Sequence, residues 1–68
     1  MAVYKMIEVV GTSKESFAHA TQEAVKRASK TLRGTSWFEA TEFRGTIENG
    51  EVGEFQVKVT VGFKLDDA

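Results

Sequence analysis

The chain contains no cysteine, no proline and a single histidine among its 68 residues. Without thiols it can form neither a disulfide nor a thiolate metal site, and His19 alone offers no second imidazole ligand. Carboxylates could bind a hard cation, but they do not occur at the spacing of a cation-binding loop. Excess charge is missing too: 9 Lys and Arg stand against 10 Asp and Glu, giving a net charge of -1 and a pI of about 5.8. That balance gives no electrostatic footprint for nucleic acid or for an anionic membrane. No apolar run approaches the ~18 residues of a membrane span and the N-terminus lacks the apolar core of a secretory signal, so a cytoplasmic location is expected. No Ser-His-Asp grouping, nucleotide-binding Gly-rich loop or metal-ligand spacing is legible, and Gly11-Thr12-Ser13 has one glycine where a phosphate loop needs several. The expectation is a binding protein without catalytic machinery. A chain this short buries little apolar surface, and with disulfides and thiolate metal sites excluded, oligomerisation is the remaining source of stability.

What is present is ordered. Val3 to Val10 is rich in Val, Ile, Tyr and Met and reads as a first strand. Gly11-Thr12-Ser13-Lys14-Glu15 then offers a break and a capping box, with the Thr12 hydroxyl accepting a first-turn N–H and Glu15 reaching back. From Lys14 to Arg33 the residues Phe17, Ala20, Ala24, Val25, Ala28 and Leu32 recur at three- and four-residue spacing. Lys26, Lys30 and Arg33 lie toward the negative end of the dipole and Gly34 is the stop, so the pattern predicts one amphipathic helix of about five turns. Ala18, Ala20, Ala24 and Ala28 are small enough for a sheet to wrap closely round it. Trp37 to Ile47 and Val52 to Leu65 are two long strand candidates, and the Asn49-Gly50 between them is the signature of a type I′ hairpin. The fold class is α+β: one domain over residues 1–68, of order β-α-β-β, with a three-stranded antiparallel sheet around one helix.

A two-residue turn at Asn49-Gly50 also predicts a register. Phe38 faces Val61 and Ala40 faces Val59, and these residues with Val57, Phe63 and Leu65 form the surface the helix covers. The opposite face carries Trp37 across from Gly62, Glu39 from Thr60, Thr41 from Lys58, Phe43 from Gln56 and Ile47 from Val52. A face meeting water should be polar, yet Trp37, Phe43, Ile47 and Val52 are spread over this one, so another subunit or a ligand should cover it. A bulge in the hairpin would exchange the faces beyond it.

Trp37, the only tryptophan, is the leading candidate for function. It is either an interface residue, since aromatics are enriched there, or a stacking platform for a planar heterocycle. Gly62 across the ladder favours the second reading by leaving room beside the indole. Gln56 is either a solvent-facing amide or a donor-acceptor pair matched to a pyrimidine-like edge. The two positions are about six residues apart, roughly 20 Å at the strand rise, so a ligand sharing both must lie between subunits. Arg44, Lys58 and Lys64 read as solvated strand positions or anion contacts. Lys26, Arg27, Lys30 and Arg33 read as helix-terminus charges, with phosphate contact open to them as well. His19 reads as a surface residue.

The blocks Val3-Tyr4-Lys5, Glu8-Val9-Val10-Gly11-Thr12-Ser13, Arg27-Ala28-Ser29-Lys30-Thr31-Leu32-Arg33, Trp37-Phe38-Glu39, Arg44-Gly45, Phe55-Gln56-Val57 and Val61-Gly62-Phe63-Lys64-Leu65 together resemble a bacterial dodecin over essentially the whole chain. The resemblance implies a hollow homo-dodecamer that binds flavins in pairs between tryptophans of neighbouring subunits, for storage and sequestration with quenching of their photochemistry. It matches Trp37 to the stacking tryptophan, Gln56 to the amide on the isoalloxazine edge and Arg44 to a basic residue near the flavin. Tyr4, Lys5, Arg27, Thr31, Leu32 and Arg33 match positions implicated in coenzyme A binding, which implies as an alternative a shell whose main ligand is coenzyme A. Lys64 stands where related bacterial members often carry Arg, with loss of a bidentate fork for phosphate, and Ser36 where some carry Asp. FMN is the expected flavin, with riboflavin and FAD as the other members of the class.

Overall fold

The structure, a computed structural model, describes residues 1–65; the last three residues of the expected domain lie outside the described residues. Its elements are β1 (Tyr4–Ser13), α1 (Phe17–Thr31), β2 (Thr35–Glu48) and β3 (Glu51–Lys64). They form one antiparallel sheet of order β1-β3-β2, so the last strand lies in the middle and both β1 and β2 are edges. The order of elements is the one the sequence predicts.

The helix starts later than the sequence suggests. Gly11, Thr12 and Ser13 pair with Val57, Gln56 and Phe55, which carries β1 three residues past Val10 and removes Thr12 from capping. The buried Ser13 hydroxyl instead accepts the backbone N–H groups of Glu15 (2.9 Å) and Ser16 (3.4 Å), turning the chain within two residues. Ser16 becomes the N-cap, its Oγ accepting from the N–H of His19 at 2.9 Å. Leu32 closes the last turn through its N–H to the carbonyl of Ala28 (3.1 Å), and Gly34 takes φ +70°. The helix therefore has 15 residues, about four turns.

The small face of α1 seats against the central strand. Ala20, Ala24 and Ala28 meet Val57, Val59 and Val61, all fully or nearly fully buried, with Ile7, Val9, Val25 and Leu32 packed around them. Burying a valine stabilises by about 1.5 kcal/mol or more, so this stripe is the main apolar contribution to the fold. The helix lies over β1 and β3 and barely meets β2. Consequently Phe38, which the sequence places under the helix, is 49% exposed, and Leu65 is also exposed. Fifteen helical residues span about 22 Å, whereas 14-residue strands span about 46 Å, so half of the β2-β3 hairpin has no helix behind it. The molecule is correspondingly long, 52 × 19 × 13 Å.

The Asn49-Gly50 turn forms as expected, both residues at positive φ (54° and 77°), and Ile47 pairs with Val52. The register then changes three times, the last time at Ser36, an extra residue between the pairs Trp37–Gly62 and Thr35–Phe63. Gly53 is an extra residue in β3 and Thr41 an extra residue in β2, so the pairs between these bulges are displaced by one from the pairs outside them. Glu42, rather than Thr41, faces Lys58; Phe43 faces Val57; and Arg44, rather than Phe43, faces Gln56. Phe43 accordingly joins the helix side, edge-on to Phe17 at 5.4 Å, while Phe17 also meets Phe55 at 4.9 Å. Past Thr41 the bulges cancel, and Trp37–Gly62, Phe38–Val61, Glu39–Thr60 and Ala40–Val59 pair as the turn alone predicts.

Candidate functional site

The sheet face away from α1 carries two separate constellations. At one end Trp37 lies over Gly62: a Cβ built on Gly62 would stand 2.5 to 2.8 Å from three indole carbons, Cε2, Cζ2 and Cδ2. No side chain fits there, and the indole occupies the space a residue at 62 would otherwise fill. Tyr4, two pairs along β1 from Met6, which faces Gly62, packs against it with ring centroids 4.9 Å apart and planes tilted by 58°. Held by backbone and by Tyr4, the indole remains 40% exposed. Lys64, paired with Tyr4, lies two residues beyond Gly62 on the same face. Ser36 is turned back to its own loop, its hydroxyl donating to the carbonyl of Gly34 at 2.9 Å.

The other end, six residues along β3, is polar. Arg44 Nε donates to Gln56 Oε1 (3.0 Å), and Gln56 Nε2 donates to Glu54 Oε1 (3.0 Å). The same guanidinium bonds Glu42 through Nη1 (3.2 Å), and Lys58 Nζ lies 3.5 Å from Glu8 and 3.6 Å from Glu42. The chain of contacts runs across all three strands. It exists because the two bulges bring Arg44 opposite Gln56; without them a phenylalanine would face that amide. Gly53, a glycine inside a strand pattern, was the available sign of a bulge. Nothing in the sequence marked Glu42, Glu54 and Glu8 as members of this cluster.

The remaining positions singled out by resemblance do not gather at one place. Arg27 and Thr31 line a groove of about 440 Å³ between β1 and α1, together with Lys26, Lys30, Glu23 and Thr12. Leu32 is the helix C-cap and packs on the core, and Arg33 follows it in the loop to Gly34. Tyr4 belongs to the indole, and Lys5, paired with Phe63, does not line the groove. His19 is not an isolated surface residue: its Nδ1 lies 2.7 Å from Ser13 Oγ and 3.1 Å from Glu15 Oε2. The sequence gives no sign of this Ser-His-Glu grouping, which forms only because β1 extends to Ser13. It lacks the wiring of a hydrolytic triad, since hydroxyl and carboxylate address the same ring nitrogen and the buried Ser13 oxygen already accepts two backbone N–H groups.

Among the described residues no helix is long and apolar enough to cross a membrane, and no three His, Cys, Asp or Glu side chains gather as a metal site. Fold and surface together define a small β-α-β-β binding domain with a clamped indole on its open sheet face. The Dodecin family profile matches residues 3–66. A Thermus thermophilus protein named dodecin is 52% identical over 65 residues, 96% of this chain and 94% of that relative. The solved structure of dodecin from Streptomyces coelicolor superposes with a TM-score of 0.93 at 46% identity, over 98% of this chain and 96% of that one. A Mycobacterium tuberculosis protein named calcium dodecin is 31% identical over 68 residues, 100% of this chain and 96% of the relative. The chain belongs to the dodecin family, a family of small binding and storage proteins.

Proposed function

We propose that this protein binds a flavin, FMN in the first place, and stores it without turnover by stacking the isoalloxazine on Trp37 within a hollow dodecamer. The observation that carries the reading is the indole itself, seated on Gly62, flanked by Tyr4 and still 40% exposed. A large π face held at the surface suits a planar ring, and stacking on such a platform contributes about 1–3 kcal/mol per contact. Gln56 keeps one N–H and one lone pair unused, which suits the donor-acceptor edge of the same ring. Six residues of β3, about 20 Å, separate the two, so stacking and edge recognition of one flavin come from different subunits. Contact with the indole also gives light absorbed by the flavin a route to dissipation, so quenching accompanies storage.

Assembly is supported by the uncovered apolar surface. Phe38, Phe43 and Ile47 line the strand that the helix leaves bare, and Ile47 is 81% exposed. A monomer would present this surface to water. Light scattering at micromolar concentration should show one large closed oligomer; a stable monomer would defeat the proposal. The purified protein should be yellow, and the small molecules released on denaturation should include FMN. A second reading, a shell whose main ligand is coenzyme A, is favoured by the groove with Lys26, Arg27 and Lys30, and the same release experiment decides between them. Calcium, carried by the name of one relative, is not part of the proposal, because the described residues gather no set of ligands for it.

A further inference from the structure

Arg44 is well placed, at first sight, to meet a flavin phosphate. Its surroundings argue otherwise. The guanidinium donates to Gln56 Oε1 through Nε and to Glu42 through Nη1, so two of its edges are engaged within its own sheet face. Three carboxylates, Glu8, Glu42 and Glu54, share that patch with two cations, Arg44 and Lys58, and an arriving dianion would meet net negative charge. The chemistry of the amide points the other way. Arginine has donors only and a carboxylate has acceptors only, so Arg44 on one side and Glu54 on the other permit a single orientation of Gln56, with oxygen toward Arg44 and nitrogen toward Glu54. A flipped amide would set N–H against guanidinium and oxygen against carboxylate.

We infer that Arg44 is a positioning residue: with Glu54 it fixes the donor-acceptor polarity of the Gln56 amide, which then reads the edge of the bound ring, and Arg44 itself makes no phosphate contact. The inference rests on the proposed flavin site. It assigns to Gln56 and its two partners the discrimination of ring edges, and it leaves recognition of the phosphate to other residues.

The test is a double-mutant cycle read by fluorescence titration with riboflavin and with FMN at two ionic strengths. Arg44→Ala should weaken both flavins by the same factor, about tenfold for one charge-assisted hydrogen bond, with no added salt dependence. Arg44→Lys, which keeps a donor for Gln56 Oε1, should recover part of the loss, and Glu54→Ala should reproduce the pattern of Arg44→Ala. In a Gln56→Ala background, Arg44→Ala should have no further effect, because there is no amide left to orient. A loss confined to FMN and steeper at low salt, or one that persists in full without Gln56, would overturn the inference while leaving flavin binding intact. Failure of the unmodified protein to bind either flavin would overturn the flavin reading itself, and this inference with it.

Discussion

The two ends of the open sheet face hold their key side chains by different physics. Trp37 is fixed by shape: a missing side chain at Gly62 makes a seat, the indole fills it, and Tyr4 closes one flank. Gln56 is fixed by charge: a donor-only cation and an acceptor-only anion leave its amide one orientation. Packing suits a platform that must accept a ring through dispersion and needs only a defined plane. Hydrogen bonding suits an edge reader, whose value depends on which atom is donor and which acceptor. The first arrangement is insensitive to salt and intolerant of a single extra carbon, whereas the second tolerates changes of volume and depends on its partners' charges.

That contrast can be broken most severely at the indole. On the proposed stacking of a flavin between two subunits, Trp37→Ala removes both contacts of the ring, so flavin affinity should fall about 100-fold or more by fluorescence titration. Unchanged affinity in an intact oligomer would make Trp37 a plain interface residue. Gly62→Ala tests the seat with the indole still present. Its methyl would lie within 2.8 Å of indole carbons, so the ring must move. Overpacking of this kind costs about 1–3 kcal/mol, and we expect flavin affinity to drop by ~10-fold or more together with a shift in tryptophan emission before any flavin is added. Normal emission and normal affinity would mean the seat is not needed. Gln56→Ala should act at the other end, weakening riboflavin and FMN alike by about 1–3 kcal/mol, the cost of one lost or unsatisfied hydrogen bond. Wild-type affinities in that variant would remove Gln56 from the site.

How far the sequence revealed these two ends differs for a physical reason. The order of elements, the Asn49-Gly50 turn, the small face of α1 and the pair Trp37–Gly62 were all legible, because turn chemistry and apolar periodicity are local. The surroundings of Gln56 were not. Bulges at Gly53 and Thr41 each add one residue, and they cancel at Ala40, so the pairs from Trp37 to Ala40 and at Ile47 are compatible with an unbroken register while the stretch between them is shifted. Phe43 therefore read as an outward residue, although it packs beside Phe17. The helix start was misplaced for a similar reason. Thr12 read as the cap, and only the pairing of β1 with Phe55 through Val57 takes it into the strand and leaves the role to Ser16. The apolar exposure expected on the open face proved to lie partly on the helix side of β2, because the helix is too short and too far toward β1 to cover it.

The smallest expected effect separates ring from phosphate. Lys64 is exposed and lies on the indole's face beyond Gly62, away from the carboxylates around Gln56. If FMN stacks on Trp37 with its phosphate at the surface, this ammonium is a cation free of that acidic patch, and it acts as a single charge without a guanidinium's bidentate grip. Exposed ion pairs contribute about 0.2–1 kcal/mol, so Lys64→Ala should weaken FMN by a few-fold at most and leave riboflavin unchanged. The difference should widen at low ionic strength, where screening lengths grow from about 8 Å toward 30 Å. Lys64→Arg should strengthen FMN and again not riboflavin, since a planar fork can take two phosphate oxygens. Calorimetry of these two variants with both flavins, at two salt concentrations, measures the effect. Equal loss of FMN and riboflavin on removing Lys64 would assign it to the shape-fixed end of the sheet, as a packing neighbour of Tyr4, and would leave the phosphate to a residue of another subunit.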